Sequence, residues 1–467
     1  MTTPVDFATE YSEFASRLSL EDLSGDTIQA AKTNVFDTLA CAIAGFSANG
    51  IKDLTALVTE WRGKPEATIW SAGIKVPAPQ AAWVNGAVSH ARDYDDTHDG
   101  AVLHAGVSVV PAALAAAELS EASGADLLAG IVVGLELACR LGTAARIGLS
   151  ESGFMYTALL GTFAATAAAA RVCRLDARLT AHALGIALSQ ASGTTQASRD
   201  AALTKRIQPG FSARTGLFSV AMAMRGITGA VNTFEGGGGL FNSYLRGRYE
   251  PQVLRQGLGR DYEFVNLGYK FYPCCRNTHT SIDAALAVRE RLAGDTNSIQ
   301  EITVGVNQEA YEAVCLPLDL RRRPTTVVQA QFSIPYTVAC ALVKGRVALE
   351  DLTDAALKDA KVLELADRVM TYVDQDILRR SAGSISPAIL TVKGHHGVHT
   401  STVEIPRGHP SQPLSPVHFD EKLQSCIRIS GREWPAHFTE NMRNLINRLE
   451  DLPQGADLVR IFATTTE

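Results

Sequence analysis

Alanine and glycine crowd the apolar face of one helical segment after another in the first 268 residues. The segments "DTIQAAKTNVFDTLACAIAGF" (26–46), "VVPAALAAAELSEASG" (109–124), "YTALLGTFAATAAAARVCR" (156–174), "LTAHALGIALSQASG" (179–193) and "SARTGLFSVAMAMRGITG" (212–229) all share it. Their apolar residues recur at helical spacing. Small side chains let helix axes come close, so the pattern predicts a tightly packed bundle and not a coiled coil. Asp26 or Thr27 is placed to cap the first of these helices. The most apolar region, "LLAGIVVGLELACRLGTAARIGL" (127–149), carries Glu136, Arg140 and Arg146, which favours a buried helix over a membrane span.

The texture changes near residue 270. "IQEITVGVNQ" alternates and is β-branched, which reads as a strand. "VVQAQFSIPYTVACALVKG" and "TDAALKDAKVLELADRVMTYV" read as helices, and "AILTVKGHHGVHTSTVEI" as two strands joined at "KGHHG". "RGHPSQPLSP" reads as a linker. After it, "HFDEKLQSCIRIS" and "PAHFTENMRNLINRLEDL" return to helix. A chain of 467 residues exceeds the roughly 250–300 that one core sustains. The expected fold is mainly α. A large all-helical bundle domain, discontinuous over 1–268 and 408–467, carries an inserted smaller α+β domain over 269–407.

The formal net charge of -6 leaves no polybasic footprint, so neither nucleic acid nor an acidic membrane surface is an expected partner. The N-terminal "MTTPVDFATEYSEF" has no basic start followed by an apolar run. Eight cysteines lack paired spacing, which fits free thiols in a reducing cytoplasm.

Chemistry concentrates in "HARDYDDTHDGAVLHAG" (90–106), with four aspartates and three histidines. His98 and His104 with the neighbouring aspartates could ligate a divalent ion, although the spacing matches no strong ligand pattern. A histidine beside a carboxylate also titrates near neutrality and suits acid–base work. An acidic loop capping the next helix is the third reading. Lys205 and Arg206 precede a Pro-Gly pair, where a cation at an interrupted helix could hold a carboxylate or could simply be solvated. "GYKFYPCCRNTH" (268–279) gathers Lys270, Tyr272, Cys274, Cys275, Arg276 and His279 at the expected domain boundary. Zinc ligation and cysteine nucleophile chemistry are conceivable there; polar cleft residues are the simpler reading. The glycine run in "FEGGGGLF" lacks the Lys-Ser/Thr of a phosphate-binding loop. "GHHGVHT" reads as an exposed turn and "LRRRPTT" as a solvated basic loop.

In order and spacing, "NVFDTLACAIAG", "VNGAVSHARDYDDTH", "HAGVSVVPAALAAAE", "SGFMYTALLGTFAATAAAAR", "KRIQPGFSARTG", "FEGGGGLF", "KFYPCCRNTHTSIDAAL" and "QAQFSIPYTVACAL" resemble the MmgE/PrpD family over nearly the whole chain. That family includes 2-methylcitrate dehydratases, cis-aconitate decarboxylases and an iminodisuccinate epimerase. The resemblance implies a homodimer, a site between two domains, and chemistry that needs no metal and no cofactor. It implies a site lined by Asp93, Asp96, Thr97, His104, Lys205, Lys270 and His279. One departure stands out. Where many relatives carry a histidine after Ser-Gly-Phe/Trp, this chain has Met155, with Tyr156 next as a substitute acid.

The reading that follows is an enzyme that moves a proton at the carbon next to a carboxylate of a small di- or tricarboxylate. A dehydratase comes first, an epimerase or isomerase second, a cis-aconitate decarboxylase behind them, and a non-enzymatic scaffold last. His104, Lys270, Tyr156 and Asp93 are the expected catalytic residues. Thr97, Asp96, Lys205, His279 and Tyr272 are the expected substrate-binding residues, and no metal ligand is expected.

Overall fold

The computed structural model describes residues 5–380, 385–395 and 397–462. It is mainly α-helical and divides into two compact units. The first runs up to Ala91, resumes over Asp95–Leu267 and takes in the chain from Cys426 onward; the second holds Arg92–Tyr94 and Gly268–Ser425.

The first unit is built on the helices Phe7–Arg17, Gly25–Gly45, Ala78–His90, Gly106–Ser120, Gly124–Ala144, Tyr156–Val172, Ala177–Leu188 and Thr204–Ala223. The alanines and glycines do what their spacing predicts. Gly86 meets Gly210 so closely that a Cβ on Gly86 would lie 2.8 Å from the Gly210 Cα. A Cβ on Gly210 would lie 2.2 Å from the Trp83 carbonyl oxygen. Helices Ala78–His90 and Thr204–Ala223 therefore cross nearly backbone to backbone. Gly210→Ala is expected to cost about 1–3 kcal/mol, because the clash is with main chain that has no rotamer to yield. Urea unfolding measures it, and an unchanged midpoint would show slack at this crossing.

Helix Gly124–Ala144 is long and apolar enough to cross a membrane, but 94% of its apolar window is buried inside the protein. Its charged pair is internal: Arg140 Nε donates to Glu136 Oε1 at 2.5 Å. The remaining Arg140 N–H groups reach the carbonyls of Val253, Leu254, Gln256 and Asp261.

Two expectations for this unit are corrected. Helix Gly25–Gly45 is capped by Ser24, whose hydroxyl accepts from the Thr27 amide, and not by Asp26 or Thr27. The unit is also not all helical. Strands β1 (Ala67–Ile69) and β2 (Ile74–Val76) form a short antiparallel ribbon, too brief to leave an alternating pattern in the sequence.

The second unit holds a four-stranded sheet of β3 (Ile299–Val306), β4 (Val369–Val373), β5 (Ala388–Gly394) and β6 (Gly397–Val403) in the order β4-β3-β5-β6. β3 pairs in parallel with β4 and antiparallel with β5. Ile302, Val304 and Val306 of β3 and Leu390 and Val392 of β5 share one core with Ile282 and Val288 of helix His279–Arg291 and with Val338 and Leu342 of helix Ile334–Lys344. The segment read as one helix over 353–373 breaks: Ala360–Ala366 is helical, and "VMTYV" is β4, as its β-branched residues favour. The segment over 327–345 splits at Ser333, which caps helix Ile334–Lys344 by accepting from the Tyr336 amide. His396 in the "KGHHG" turn lies outside the described residues.

The stretch "RGHPSQPLSP" is a packed part of this unit and not a linker. The Tyr269 amide donates to the Gly408 carbonyl at 2.8 Å, and the Tyr269 ring packs edge-on against Phe419. The second unit consequently extends to Ser425, past the expected boundary at 407.

Candidate active site

Helix Ala78–His90 stops at His90, and helix Gly106–Ser120 starts sixteen residues later, so the acid-rich stretch is a connection that must satisfy its own backbone. Asp96 does much of this. Its Oδ2 accepts from the Ala105 amide at 2.8 Å and its Oδ1 from the Gly106 amide at 3.0 Å, which closes the N-terminus of the second helix. Burial and the nearby carboxylates of Asp95 and Asp37 push the Asp96 pKa up to about 8, against the two backbone donors that hold it down. A Cβ at Gly106 would fall within 2.4–2.7 Å of Thr38 Oγ1, Asn34 Oδ1 and Asp96 Oδ1, so a larger residue here would have to displace these side chains. Asp96 is thus a structural cap.

His98 clamps the same connection. Its Nδ1 accepts from the Ala101 amide at 3.0 Å, and its Nε2 faces Glu263 Oε1 at 3.1 Å. Both nitrogens are used, so His98 does not form a ligand pair with His104. Thr97 Oγ1 donates to Asp99 Oδ1 at 3.3 Å, within the loop.

Asp95 organises the chemistry of the first unit. One of its oxygens, Oδ2, lies 2.8 Å from His90 Nδ1 and 3.2 Å from His104 Nδ1. The two imidazole rings stand 5.1 Å apart. His104 Nδ1 is also 2.5 Å from the Asp96 carbonyl oxygen, and the His104 amide donates to Thr157 Oγ1 at 3.1 Å. Lys205 Nζ reaches His90 Nε2 at 3.0 Å. Side-chain exposure separates the roles: His90 shows 3%, Asp95 0% and His104 18%. Within this cluster His104 is the imidazole that a ligand can reach. The Pro-Gly pair does not interrupt the helix carrying Lys205, contrary to expectation: Thr204–Ala223 runs straight through Pro209, and Lys205 lies in its first turn.

In the second unit Lys270 is buried against Asp93. Its Nζ donates to the Asp93 carbonyl at 2.9 Å and lies 3.3 Å from the carboxylate Oδ1. Three consecutive carbonyls of the 92–94 piece each receive a side-chain donor. Gln331 Nε2 serves Arg92 at 2.7 Å, Lys270 serves Asp93, and Lys422 Nζ serves Tyr94 at 2.6 Å. Lys422 also lies 4.2 Å from the Tyr94 ring centroid. These anchors hold Asp93 at a φ of 54°, a left-handed conformation that a non-glycine residue adopts only when its surroundings fix it.

Three further expected site residues are occupied elsewhere. The Tyr156 hydroxyl donates to the Ile147 carbonyl at 2.5 Å, and burial raises its pKa. The Tyr272 hydroxyl donates to Asp283 Oδ1 at 2.6 Å. His279 is fully buried, with Nε2 3.3 Å from the Cys274 carbonyl and Nδ1 3.4 Å from the Arg276 guanidinium. Burial first, then the positive charges of Arg276 and Lys270, hold its pKa well below the usual histidine range. It is a neutral histidine packed in the interior of the second unit. Cys274 fits neither zinc ligation nor nucleophilic attack, because burial drives its thiol pKa far up and its sulfur pairs with Thr278 Oγ1 at 3.0 Å.

Sequence reasoning missed His90, Asp95, Gln331 and Lys422. His90 and Asp95 stood in the quoted stretch, but their partners depend on Lys205 lying 115 residues away in the chain.

Comparison with known proteins identifies the family. Residues 9–252 match the MmgE/PrpD N-terminal domain and residues 272–444 match the MmgE/PrpD C-terminal domain. A cis-aconitate decarboxylase-like protein of Aspergillus oryzae is 26% identical over 473 residues, covering 97% of this chain and 96% of its own length. The cis-aconitate decarboxylase of Aspergillus terreus is 27% identical over 96% of this chain and 95% of its own. That of Homo sapiens is 26% identical over 95% of this chain and 92% of its own. With both domains matched in order, the chain belongs to the MmgE/PrpD family.

Proposed function

We propose that this protein is a lyase that acts on a small di- or tricarboxylate by moving a proton at the carbon next to a carboxylate. One observation carries the reading: His104 is the exposed end of a buried His90–Asp95–His104 cluster, with the Lys205 cation behind it. A histidine backed by a carboxylate has a proton affinity suited to general acid–base work near neutrality. Lys205 supplies positive charge of the kind that a carboxylate substrate and a developing enolate both need.

Dehydration is the first reading. A base takes the proton from the carbon beside the carboxylate, that electron pair forms the double bond, and the hydroxyl leaves with a proton from an acid as water. This needs two protonic groups, and the first unit offers His104 beside Asp95, with the Lys205 cation behind them. Decarboxylation is the second reading, favoured by the names of the relatives. There the bond to carbon dioxide breaks, its electron pair stays on carbon, and an acid protonates that carbon. The test is incubation with a panel of small di- and tricarboxylates, followed by NMR. A new olefinic proton signal with no bicarbonate identifies dehydration, and bicarbonate identifies decarboxylation. Inversion at carbon with no loss of mass identifies an epimerase in place of a lyase. No turnover of any member overturns the proposal.

The same reading makes catalysis independent of divalent metal. Dialysis against a strong chelator is expected to leave the turnover number unchanged. Activity that is lost and then restored by zinc or iron would contradict the acid–base role of His104.

A further inference from the structure

We propose that the tautomers of both imidazoles are fixed by the protein, that of His90 by Lys205 and Asp95 and that of His104 by the Asp96 carbonyl with Asp95 beside it, so that His90 and Asp95 are positioning residues around a His104 that exchanges its proton at Nε2. The consequence for turnover rests on His104 being the proton-transfer residue; the tautomers themselves do not. An ammonium has donors and no acceptor. With Lys205 Nζ 3.0 Å from His90 Nε2, that nitrogen must accept and therefore carries no proton. A neutral imidazole then keeps its proton on Nδ1, and His90 Nδ1 donates to Asp95 Oδ2 at 2.8 Å.

The second imidazole is fixed from a different side. His104 Nδ1 faces the same Asp95 oxygen at 3.2 Å and the Asp96 carbonyl oxygen at 2.5 Å. A carbonyl oxygen and a carboxylate oxygen both accept, so His104 Nδ1 is the donor. Nε2 becomes the nitrogen at which His104 gains and loses its proton. The run of hydrogen bonds goes from Lys205 through His90 to Asp95, and Asp95 Oδ2 also faces His104 Nδ1 at 3.2 Å. It joins the end of helix Ala78–His90, the connection after it and the first turn of helix Thr204–Ala223, all within the first unit.

The full-length protein with ¹⁵N-labelled histidine tests this by NMR without any ligand, the signals being assigned with His90→Gln and His104→Gln. At neutral pH His90 and His104 are both expected to carry a proton on Nδ1 and none on Nε2. In Lys205→Met the donor to His90 Nε2 is gone, and that nitrogen is expected to shift toward the protonated position. Lys205→Arg is expected to restore the original pattern. In Asp95→Asn the His104 Nδ1 signal is expected to move. A proton on His90 Nε2 in the unsubstituted protein, a bare His104 Nδ1, or His90 signals unmoved in Lys205→Met overturns the proposal. If Lys205→Met does not fold, the unsubstituted spectrum alone decides. Loss of activity in His104→Ala tests the proton-transfer reading separately and leaves the tautomers untouched.

Discussion

His104→Ala is expected to lower the turnover number by about 10²–10⁴-fold, the range for losing a general acid or base. The fold should survive. The His104 side chain is partly exposed, its amide contact to Thr157 is main chain and remains, and the helix cap is made by Asp96. Steady-state kinetics and a urea midpoint on the same sample separate the two effects. A large fall in turnover with an unmoved midpoint is the expected pair of results. A protein that turns over normally without the imidazole would remove His104 from the reaction.

Lys270→Met carries the second large effect, and it falls on stability. Lys270 and Asp93 show only 1% and 4% of their side chains. Removing one partner of a buried ion pair leaves the other charge uncompensated, at a cost of about 3–5 kcal/mol. The Asp93 carbonyl loses its donor as well. Lys270→Met combined with Asp93→Asn should recover part of the loss, because the stranded carboxylate is gone. Denaturant unfolding of the two single variants and the double variant measures the coupling. A single Lys270→Met within about 0.5 kcal/mol of the parent, as for an ordinary surface substitution, would contradict the burial argument.

How much of this was legible in the sequence depends on what each residue answers to. The close helix crossings were legible because a crossing such as Gly86 on Gly210 demands small residues at helical spacing, and that demand is local to each segment. Strand β3 was legible for the same reason, by alternation and β-branching. Strand β4 was lost because "VMTYV" follows a helical run without a turn signal between them. Lys270 and His104 could be singled out by chemical type. What they touch could not, since the Lys270 donor meets a carbonyl 177 residues earlier in the chain. Tyr156, Tyr272 and His279 show the same limit. Each has the right chemistry, but each polar group is committed to a neighbour: the Ile147 carbonyl, the Asp283 carboxylate, and the Cys274 carbonyl with Arg276. Asp96 was ambiguous between binding and capping, and two backbone amides decide it.

The central claim is proton movement at a carbon beside a carboxylate, carried by His104. Solvent deuterium tests it most directly. The enzyme is incubated in D2O with whichever small carboxylate it consumes, and the recovered substrate and product are read by NMR. The expected result is deuterium at the carbon next to the carboxylate, entering through reversal of the olefin-forming step or through protonation of the carbanion, and its disappearance in His104→Ala. Turnover with no deuterium at that carbon, or deuterium entering at an undiminished rate in His104→Ala, would contradict the claim.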